Sequence, residues 1–296
     1  MAPVVGWMPR MRINSAPNAG RMGLNSLVHH MLRVCSKSLA TRVIFFQLLV
    51  SPGSIADTLS IVTASNFRPV LEQLSEAFSK QHSSDTPAHQ INISSASSGV
   101  LYAQILQGAP FQLFFSANQS YPEKLVASGH GVADTLATYA VGKLVLVSRN
   151  KENSTTEILS KAKRIAIANP RTAPYGIAAM EVLESLGVAE ESQPKLVVGN
   201  NIAQAWQFFH SGNADVAIVA GSLVVPGSDV NETRPGLCTI DLSSYLTHPV
   251  RQSRVAIKPV SPLTQQFLDF MDTPRAEKII SDGGYLLPVT ALNIKP

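Results

Sequence analysis

The chain has 296 residues, of which 45% are hydrophobic and 15% charged, enough for one large or two medium domains. Its formal charge of +4 comes from the N-terminus, because the residues before Asp57 hold six of the 24 basic side chains and none of the 20 acidic ones. The remainder has 18 basic against 20 acidic residues, a net charge of −2, which argues against a nucleic-acid partner.

Residues 31–56 have the pattern of a secretory signal peptide. Basic side chains precede the short apolar run Val43–Val50, and small residues then lead to Asp57. We therefore expect a leader over residues 1–56, a mature chain from Asp57 and a periplasmic location. An uncleaved N-terminal anchor is the alternative, although the apolar run is short for a membrane span.

The cysteines and histidines do not form a recognisable metal or disulfide pattern. Cys35 lies in the leader and Cys238 in the body, so the mature chain has no pair to oxidise. The seven histidines are scattered, with none of the spacings typical of a metal site. We expect no cofactor and no bare metal ion.

The body begins with strand and helix patterns in alternation. Leu59–Ala64 is a short apolar strand, and Phe67–Lys80 has apolar residues at helical spacing. A second strand, Gln90–Ser95, leads into the stretch Ser94–Pro110, where a group of serines precedes a helical run that ends at Gly108.

The same alternation continues to the C-terminus. The later predicted strands are Phe111–Ala117, Val141–Ser148, Arg164–Ala168, Leu196–Val198, Asp215–Ala220 and Arg254–Lys258. The later predicted helices are Pro122–Ser128, Glu157–Lys161, Ile177–Leu186, Ile202–Phe209, Leu263–Met271 and one that starts at Pro274. Val224–Ser244 is expected to be a loop.

This order predicts an α/β fold with mixed, mostly parallel sheets and flanking helices. We expect two lobes, one formed by residues 57–138 and 250–296 and the other by residues 139–249, with a ligand cleft between them. Ligands of such sheets bind at the carboxyl ends of strands, beside helix N-termini. Four turns rich in Ser, Asn and Gly occupy such places: Ser65-Asn66, Ser97-Ser98-Gly99, Pro174-Tyr175-Gly176 and Asn200-Asn201-Ile202.

These four turns together favour an anion site. A single serine before a helix is ordinarily an N-cap. However, each helix start also carries unpaired amides and the positive end of a dipole, so several helix starts around one point could bind an anion. The four turns contain no Lys or Arg apart from Arg171, which lies in the approach to Pro174, so neutral donors are expected to do the binding.

Several motifs occur in an order that is specific to one family. They are TASNF at 63–67, SSASSGVLYAQILQGAP at 94–110, FFSANQ at 114–119, NPRTAPYG at 169–176 and GNNIAQAW at 199–206. Through them the chain resembles the periplasmic molybdate-binding proteins of ABC importers, from Asp57 to about Leu287. The resemblance implies a two-lobed type II periplasmic-binding-protein fold. It also implies molybdate and tungstate as ligands, an inner-membrane ABC permease with its ATPase subunit as partner, and a monomer.

The resemblance also implies which residues bind the oxyanion. The expected donors are the hydroxyl groups and the backbone amides of Ser65 and Ser98, together with the backbone amides of Asn66, Tyr175 and Ile202.

One position departs from part of the family. Some members carry a ligand-binding tyrosine after the strand that corresponds to Asp215–Ala220, whereas Ala220 stands there in this chain. We therefore leave Ala220 out of the site, and the number and arrangement of donors stay open.

Three other functions remain open. The chain could be a two-lobed receptor for another oxyanion, such as sulfate, thiosulfate or a phosphonate. It could be the ligand-sensing domain of a regulator, although no DNA-binding helix pair precedes it. A hydrolase that uses Ser65 or Ser98 as nucleophile is the third, but no G-x-S-x-G elbow is present, and we predict no catalytic residue.

Overall fold

The computed structural model describes residues 57–82, 89–150, 152, 154–224 and 237–288. All of them belong to the unit Ala56–Pro296. The predicted leader over residues 1–56 lies outside the described residues. No helix in the described part of the chain is long and apolar enough to cross a membrane.

The described residues form ten strands and nine α-helices, each numbered along the chain. The strands are β1 (Thr58–Ala64), β2 (Gln90–Ala96), β3 (Leu113–Phe115), β4 (Ala137–Gly142), β5 (Leu144–Ser148), β6 (Ile165–Ala168), β7 (Leu196–Gly199), β8 (Val216–Ala220), β9 (Cys238–Asp241) and β10 (Val250–Ala256). The helices are α1 (Arg68–Gln81), α2 (Ser98–Leu106), α3 (Ser120–Ala127), α4 (Thr155–Lys161), α5 (Pro174–Ser185), α6 (Ala189–Ser192), α7 (Ile202–His210), α8 (Pro262–Met271) and α9 (Pro274–Asp282).

The strands form two five-stranded sheets, one for each lobe. The first sheet has the order β2-β1-β3-β10-β4, and the second has the order β7-β6-β8-β5-β9. In each sheet a central strand pairs in parallel with two others: β1 with β2 and β3, and β6 with β7 and β8. The remaining pairs, which involve β10 and β5, are antiparallel. The two-lobed mixed α/β fold is therefore confirmed.

The apolar run Val141–Ser148, predicted as one strand, is two strands in different sheets. Lys143 separates them: β4 pairs with β10 in the first sheet, and β5 pairs with β8 and β9 in the second. Both halves are buried, so hydrophobicity shows no break where the chain passes from one sheet to the other. Tyr139, where we expected the crossing, lies inside β4.

Other boundaries also differ from the prediction. Cys238–Asp241 is a strand within the expected loop, since it pairs with β5 at the edge of the second sheet. Its Pro and Gly neighbours favoured a loop in the sequence. The strand predicted over Phe111–Ala117 spans only Leu113–Phe115, and β10 begins at Val250 rather than at Arg254.

Each sheet is covered by helices that bury apolar side chains against it. In the first lobe, Phe67, Phe78 and Phe267 pack on one face of the sheet, and Phe114 lies on the other. In the second lobe the core includes Trp206 and the strands of the sheet. These rigid layers fix the positions of the turns between strands and helices.

Those turns lie where the fold class predicts a ligand site. The turn after β1 leads to α1, and α2 follows β2 directly. In the second lobe α5 follows β6, and α7 follows β7. Since β1 and β2 are parallel neighbours, as are β6 and β7, each pair of turns lies at one edge of its sheet.

Candidate functional site

The four turns from both lobes line one small cavity. Its wall consists of small or uncharged residues. They are Ala64, Ser65, Asn66, Ala96, Ser97, Ser98, Ala117, Ala173, Pro174, Tyr175 and Ile202.

All five residues predicted to bind the oxyanion are in this wall. Ser65 and Asn66 lie in the turn after β1, Ser98 is the first residue of α2, Tyr175 lies in the first turn of α5, and Ile202 is the first residue of α7. Each of them is at least nine-tenths buried. The structure therefore brings together residues from four separate segments of the sequence.

Four of the five backbone amides expected to bind the ion have no protein acceptor. Within the described residues, the N–H groups of Asn66, Ser98, Tyr175 and Ile202 make no hydrogen bond. The Ser65 amide does not fit the expectation, because it donates to the Ala96 carbonyl oxygen at 3.1 Å. Helix geometry leaves the first amides of α2, α5 and α7 without an intrahelical partner. Buried amides in proteins are nearly always paired, so four free ones at a single cavity suit a ligand rich in acceptors.

The two serine hydroxyls in the site are oriented by backbone amides. Ser98 Oγ accepts a hydrogen bond from the amide of Ala117 at 3.0 Å. Ser65 Oγ accepts one from the amide of Ala203 at 3.4 Å. Because each oxygen already accepts an N–H, its own O–H proton remains to be donated. Both hydroxyls can therefore serve as donors, as the sequence predicts.

Side-chain capping differs between α2 and α7. Asn201, the N-cap of α7, accepts a hydrogen bond from the amide of Gln204 at 3.0 Å. Ser97, the N-cap of α2, makes no such bond, and its buried hydroxyl has no partner among the described residues. Ser97 thus adds a polar group to the cavity wall that the predicted set of donors did not include.

A buried polar network supports the wall on the side of Asn66. The Asn66 side-chain amide donates to Gln252 Oε1 and to the Tyr285 hydroxyl, both at 2.9 Å. Gln252 Nε2 donates to the Tyr175 hydroxyl at 3.1 Å, and the Tyr139 hydroxyl lies 3.1 Å from Gln252 Oε1. The network therefore supports Asn66 and Tyr175, two of the residues predicted to donate to the oxyanion.

The tyrosines of this network stay neutral. Burial raises the pKa of Tyr139 and of Tyr175 well above the ordinary value of 10.0, and the nearby Tyr285 raises both further. Burial likewise raises the pKa of Tyr285. At neutral pH the network therefore brings no negative charge to the cavity.

Direct hydrogen bonds join the two lobes around the cavity. The Gly99 amide in α2 donates to the Thr172 carbonyl of the second lobe at 2.9 Å. The Ser222 hydroxyl, also of the second lobe, donates to the Asn66 carbonyl at 3.3 Å. Together with the contact from Ala203 to Ser65, these bonds show the lobes closed over the site.

Among the described residues, no charged side chain takes part in the cavity wall. Arg68 and Arg171, the cations nearest to the turns in sequence, are exposed and lie outside it. Within the described part of the chain, no group of three or more His, Cys, Asp or Glu side chains could hold a metal ion. The site can therefore bind an anion only through neutral donors and helix dipoles.

Sequence reasoning missed the supporting residues. Gln252 and Tyr285 contact Asn66 from 186 and 219 positions along the chain, and no local motif marks them. Ala220, which we left out of the site, is fully buried and does not line the cavity. Ser222, two positions later, contacts the Asn66 carbonyl instead.

Comparison with known proteins identifies relatives over most of the chain. Residues 59–286 match the family model of the bacterial extracellular solute-binding proteins. The molybdate-binding protein ModA of Rhodobacter capsulatus is 35% identical over 252 residues, which cover 83% of this chain and 95% of the relative. ModA of Azotobacter vinelandii is 36% identical over 243 residues, which cover 80% of this chain and 93% of the relative.

Solved structures extend the comparison to the fold. The Azotobacter vinelandii periplasmic molybdate-binding protein superposes with a TM-score of 0.69 and 37% identity, covering 78% of this chain and 99% of that one. The sulfate-binding protein SubI of Mycobacterium tuberculosis has a TM-score of 0.63 at 14% identity, covering 80% of this chain and 90% of that one. At that identity the likeness to SubI concerns the fold alone.

Proposed function

The chain belongs to the family of bacterial extracellular solute-binding proteins, and on that basis we propose that it captures molybdate or tungstate and delivers it to an ABC importer. A transport-binding role, rather than catalysis, is what this family indicates. The observation that supports an oxyanion as the ligand is the uncharged cavity whose wall holds all five expected donor residues.

The donor set suits a tetrahedral oxyanion. Molybdate is a dianion at neutral pH, and its four oxygens are acceptors without protons. We assign to it the hydroxyls of Ser65 and Ser98 and the backbone amides of Asn66, Ser98, Tyr175 and Ile202. The three helix starts in this set also place the positive ends of their dipoles at the ion. Enclosure by both lobes strengthens each contact, because the low dielectric of a dry site screens charge weakly.

The same donors would discriminate among anions. Hydrogen phosphate carries a proton that needs an acceptor, whereas the amides assigned here only donate and the two hydroxyls are assigned to donate their protons to the ion. Sulfate has the charge of molybdate but is smaller, so it would make long, weak hydrogen bonds in a cavity shaped for molybdate. The difference in size between the two ions is therefore what would exclude sulfate.

A receptor for sulfate, thiosulfate or a phosphonate is the second candidate function. It would use the same cavity and the same neutral donors, and the fold shared with a sulfate-binding protein is compatible with it. The greater identity to molybdate-binding proteins favours molybdate.

The location and the partners complete the proposal. We propose that the leader directs the protein to the periplasm, where it acts as a monomer and docks on an inner-membrane permease with its ATPase subunit.

We propose lobes formed by residues 57–138 with 250–296 and by residues 139–249. Residues 139–142 are an exception to the second range, because they form the end of β4 and pair with β10 in the first sheet.

Titration calorimetry of the purified protein tests the ligand assignment. Molybdate, tungstate, sulfate and phosphate are compared in parallel. Heat of binding with molybdate and tungstate alone supports both the receptor and its size filter. Tight binding of sulfate or phosphate would assign the protein to another transporter, and no binding of any of the four would reject the oxyanion site.

A further inference from the structure

Gln252 makes hydrogen bonds to both lobes although it does not line the cavity. It belongs to β10 of the first sheet, is fully buried, and stands at the irregularity where the register between β10 and β4 shifts. Its side chain contacts Asn66 in the first lobe and Tyr175 in the second. These are two of the residues whose backbone amides we assign to the ligand.

The polarity of the Gln252 amide is set by its neighbours. Its oxygen accepts from Asn66 Nδ2 at 2.9 Å and lies 3.1 Å from the Tyr139 hydroxyl, while its nitrogen donates to the Tyr175 hydroxyl at 3.1 Å. Reversing the Gln252 amide alone would set two NH₂ groups against each other at Asn66. The side chain joins the lobes through its contacts with Asn66 and Tyr175.

Gly142 provides the space that this contact needs. A Cβ atom at Gly142 would lie 1.9 Å from the Tyr175 hydroxyl and 2.6 Å from Gln252 Nε2. The Tyr175 ring can therefore reach Gln252 only because β4 carries a glycine at this point, next to the segment where the chain passes between the sheets.

We propose that Gln252 is a positioning residue that holds the amides of Asn66 and Tyr175 in place when the lobes close. Each donor uses its backbone to bind the ligand and its side chain to bind Gln252. The hydrogen bond to Tyr175 crosses the cleft, so it forms when the lobes close and is lost when they open. It therefore slows the release of the ion. This inference rests on the proposed function.

The test uses the single variants Gln252→Leu and Tyr175→Phe and the double variant. Tyr175→Phe keeps the ring and the backbone amide and removes only the hydroxyl, so it remains informative if Gln252→Leu folds poorly. Gln112→Leu is the matched control. Gln112 accepts from the Ser60 amide at 2.8 Å and lies 3.4 Å from the Ser261 hydroxyl, and all three residues belong to the first lobe.

Affinity for molybdate is measured by calorimetry, and its dissociation rate by stopped-flow fluorescence. Each single variant should bind roughly 10-fold more weakly, mainly through faster dissociation, since a buried partner is left unpaired in the closed state. The double variant should be no weaker than the weaker single one, because both changes remove the same bond. The control should dissociate at the wild-type rate.

The outcomes separate this inference from the proposed function. Suppose that the wild-type protein binds molybdate. If molybdate leaves the variants at the wild-type rate, or if the effects of the two single variants on affinity add, Gln252 has no positioning role and the receptor assignment stands. If the control loses as much affinity as Gln252→Leu, the effect is one of general stability and the inference fails. A wild-type protein that binds none of the four oxyanions would overturn the proposed function and this inference with it.

Discussion

The hydroxyl oxygen of Ser98 lies 3.0 Å from the amide nitrogen of Ala117 and accepts its hydrogen bond. This contact joins the start of α2 to Ala117, two residues after the end of β3, and it leaves the Ser98 hydroxyl proton free to be donated. The hydroxyl can then donate to an oxyanion in the cavity, where the Ser98 backbone amide is also free.

Replacing Ser98 by alanine should weaken molybdate binding by about 1–3 kcal/mol, since an oxygen of the ion and the Ala117 amide both lose a partner. Calorimetry measures the change. Ser94→Ala is the matched control, because Ser94 belongs to the same serine-rich stretch but is exposed on β2, and it should bind as the wild type does. Equal affinity of the Ser98 variant and the wild type would remove Ser98 from the site.

Ile202→Pro should remove one backbone donor while keeping the helix. Ile202 is the first residue of α7, where proline is well accommodated, and Asn201 before it has an extended backbone (φ −150°, ψ 176°) that suits a following proline. Proline has no N–H, so affinity for molybdate should fall by about 1–3 kcal/mol.

The control for this change is Ile202→Ala, which shortens the same buried side chain but keeps the amide. It should lower the melting temperature of the protein and leave most of the affinity intact. If the alanine and proline variants lose affinity equally, the side chain matters and the amide of Ile202 does not bind the ion.

Gly99→Ala should hinder closure of the lobes. A Cβ atom at Gly99 would lie 2.8 Å from the Thr172 carbonyl oxygen of the second lobe and 2.7 Å from the Tyr121 hydroxyl of the first. The tyrosine hydroxyl ends a side chain that can shift, but the Thr172 backbone has to move away. We expect weaker binding of molybdate, with no loss of melting temperature in the ligand-free protein because alanine favours the helix more than glycine does.

Both quantities are measured on the same preparation, by calorimetry and by thermal unfolding. Val100→Ala changes the next residue of α2, which is partly exposed, and should leave the affinity unchanged. A Gly99→Ala protein that binds as tightly as the wild type would show that the lobes need not approach this closely.

Alkaline pH should destabilise the protein through its buried tyrosines. Burial raises the pKa of Tyr139, Tyr175 and Tyr285 in the folded state, so their neutral forms contribute stability that is fully present below the unfolded pKa of about 10. That contribution is lost as the pH rises above this value, because the unfolded chain then releases protons that the folded one retains.

Urea unfolding at a series of pH values measures this loss. The free energy of unfolding should be insensitive to these tyrosines between pH 7 and about 9 and should decline above about 10. Tyr139→Phe should make the decline shallower, whereas Tyr245→Phe, at an exposed tyrosine, should not. The same decline in all three proteins would mean that other groups cause it.

The turns that form the cavity wall could be predicted from the sequence because each of them is a local motif. A serine or asparagine at a strand end, followed at once by a helix, marks Ser98 and Ile202 without knowledge of the fold. Whether such turns meet depends on the sheet order, and parallel pairing of β1 with β2 and of β6 with β7 brings them to common edges.

Other features depend on contacts that no local pattern encodes. In the sequence, Gln252 is an ordinary polar residue of a strand. Its proposed role follows from its hydrogen bonds with Asn66 and Tyr175, which only the structure shows. The passage between sheets at Lys143 was hidden because the residues on both sides of it are equally apolar and buried.

The uncharged wall of the cavity has a consequence for the electrical charge of the whole molecule. No described side chain of the wall takes up a proton near neutral pH, so a dianion bound there would add its full charge to residues 57–296, whose side chains already sum to −2. The filled receptor is therefore more acidic than the empty one and should migrate faster toward the anode in a native gel. Any partner that senses surface potential can distinguish the two forms without touching the ion.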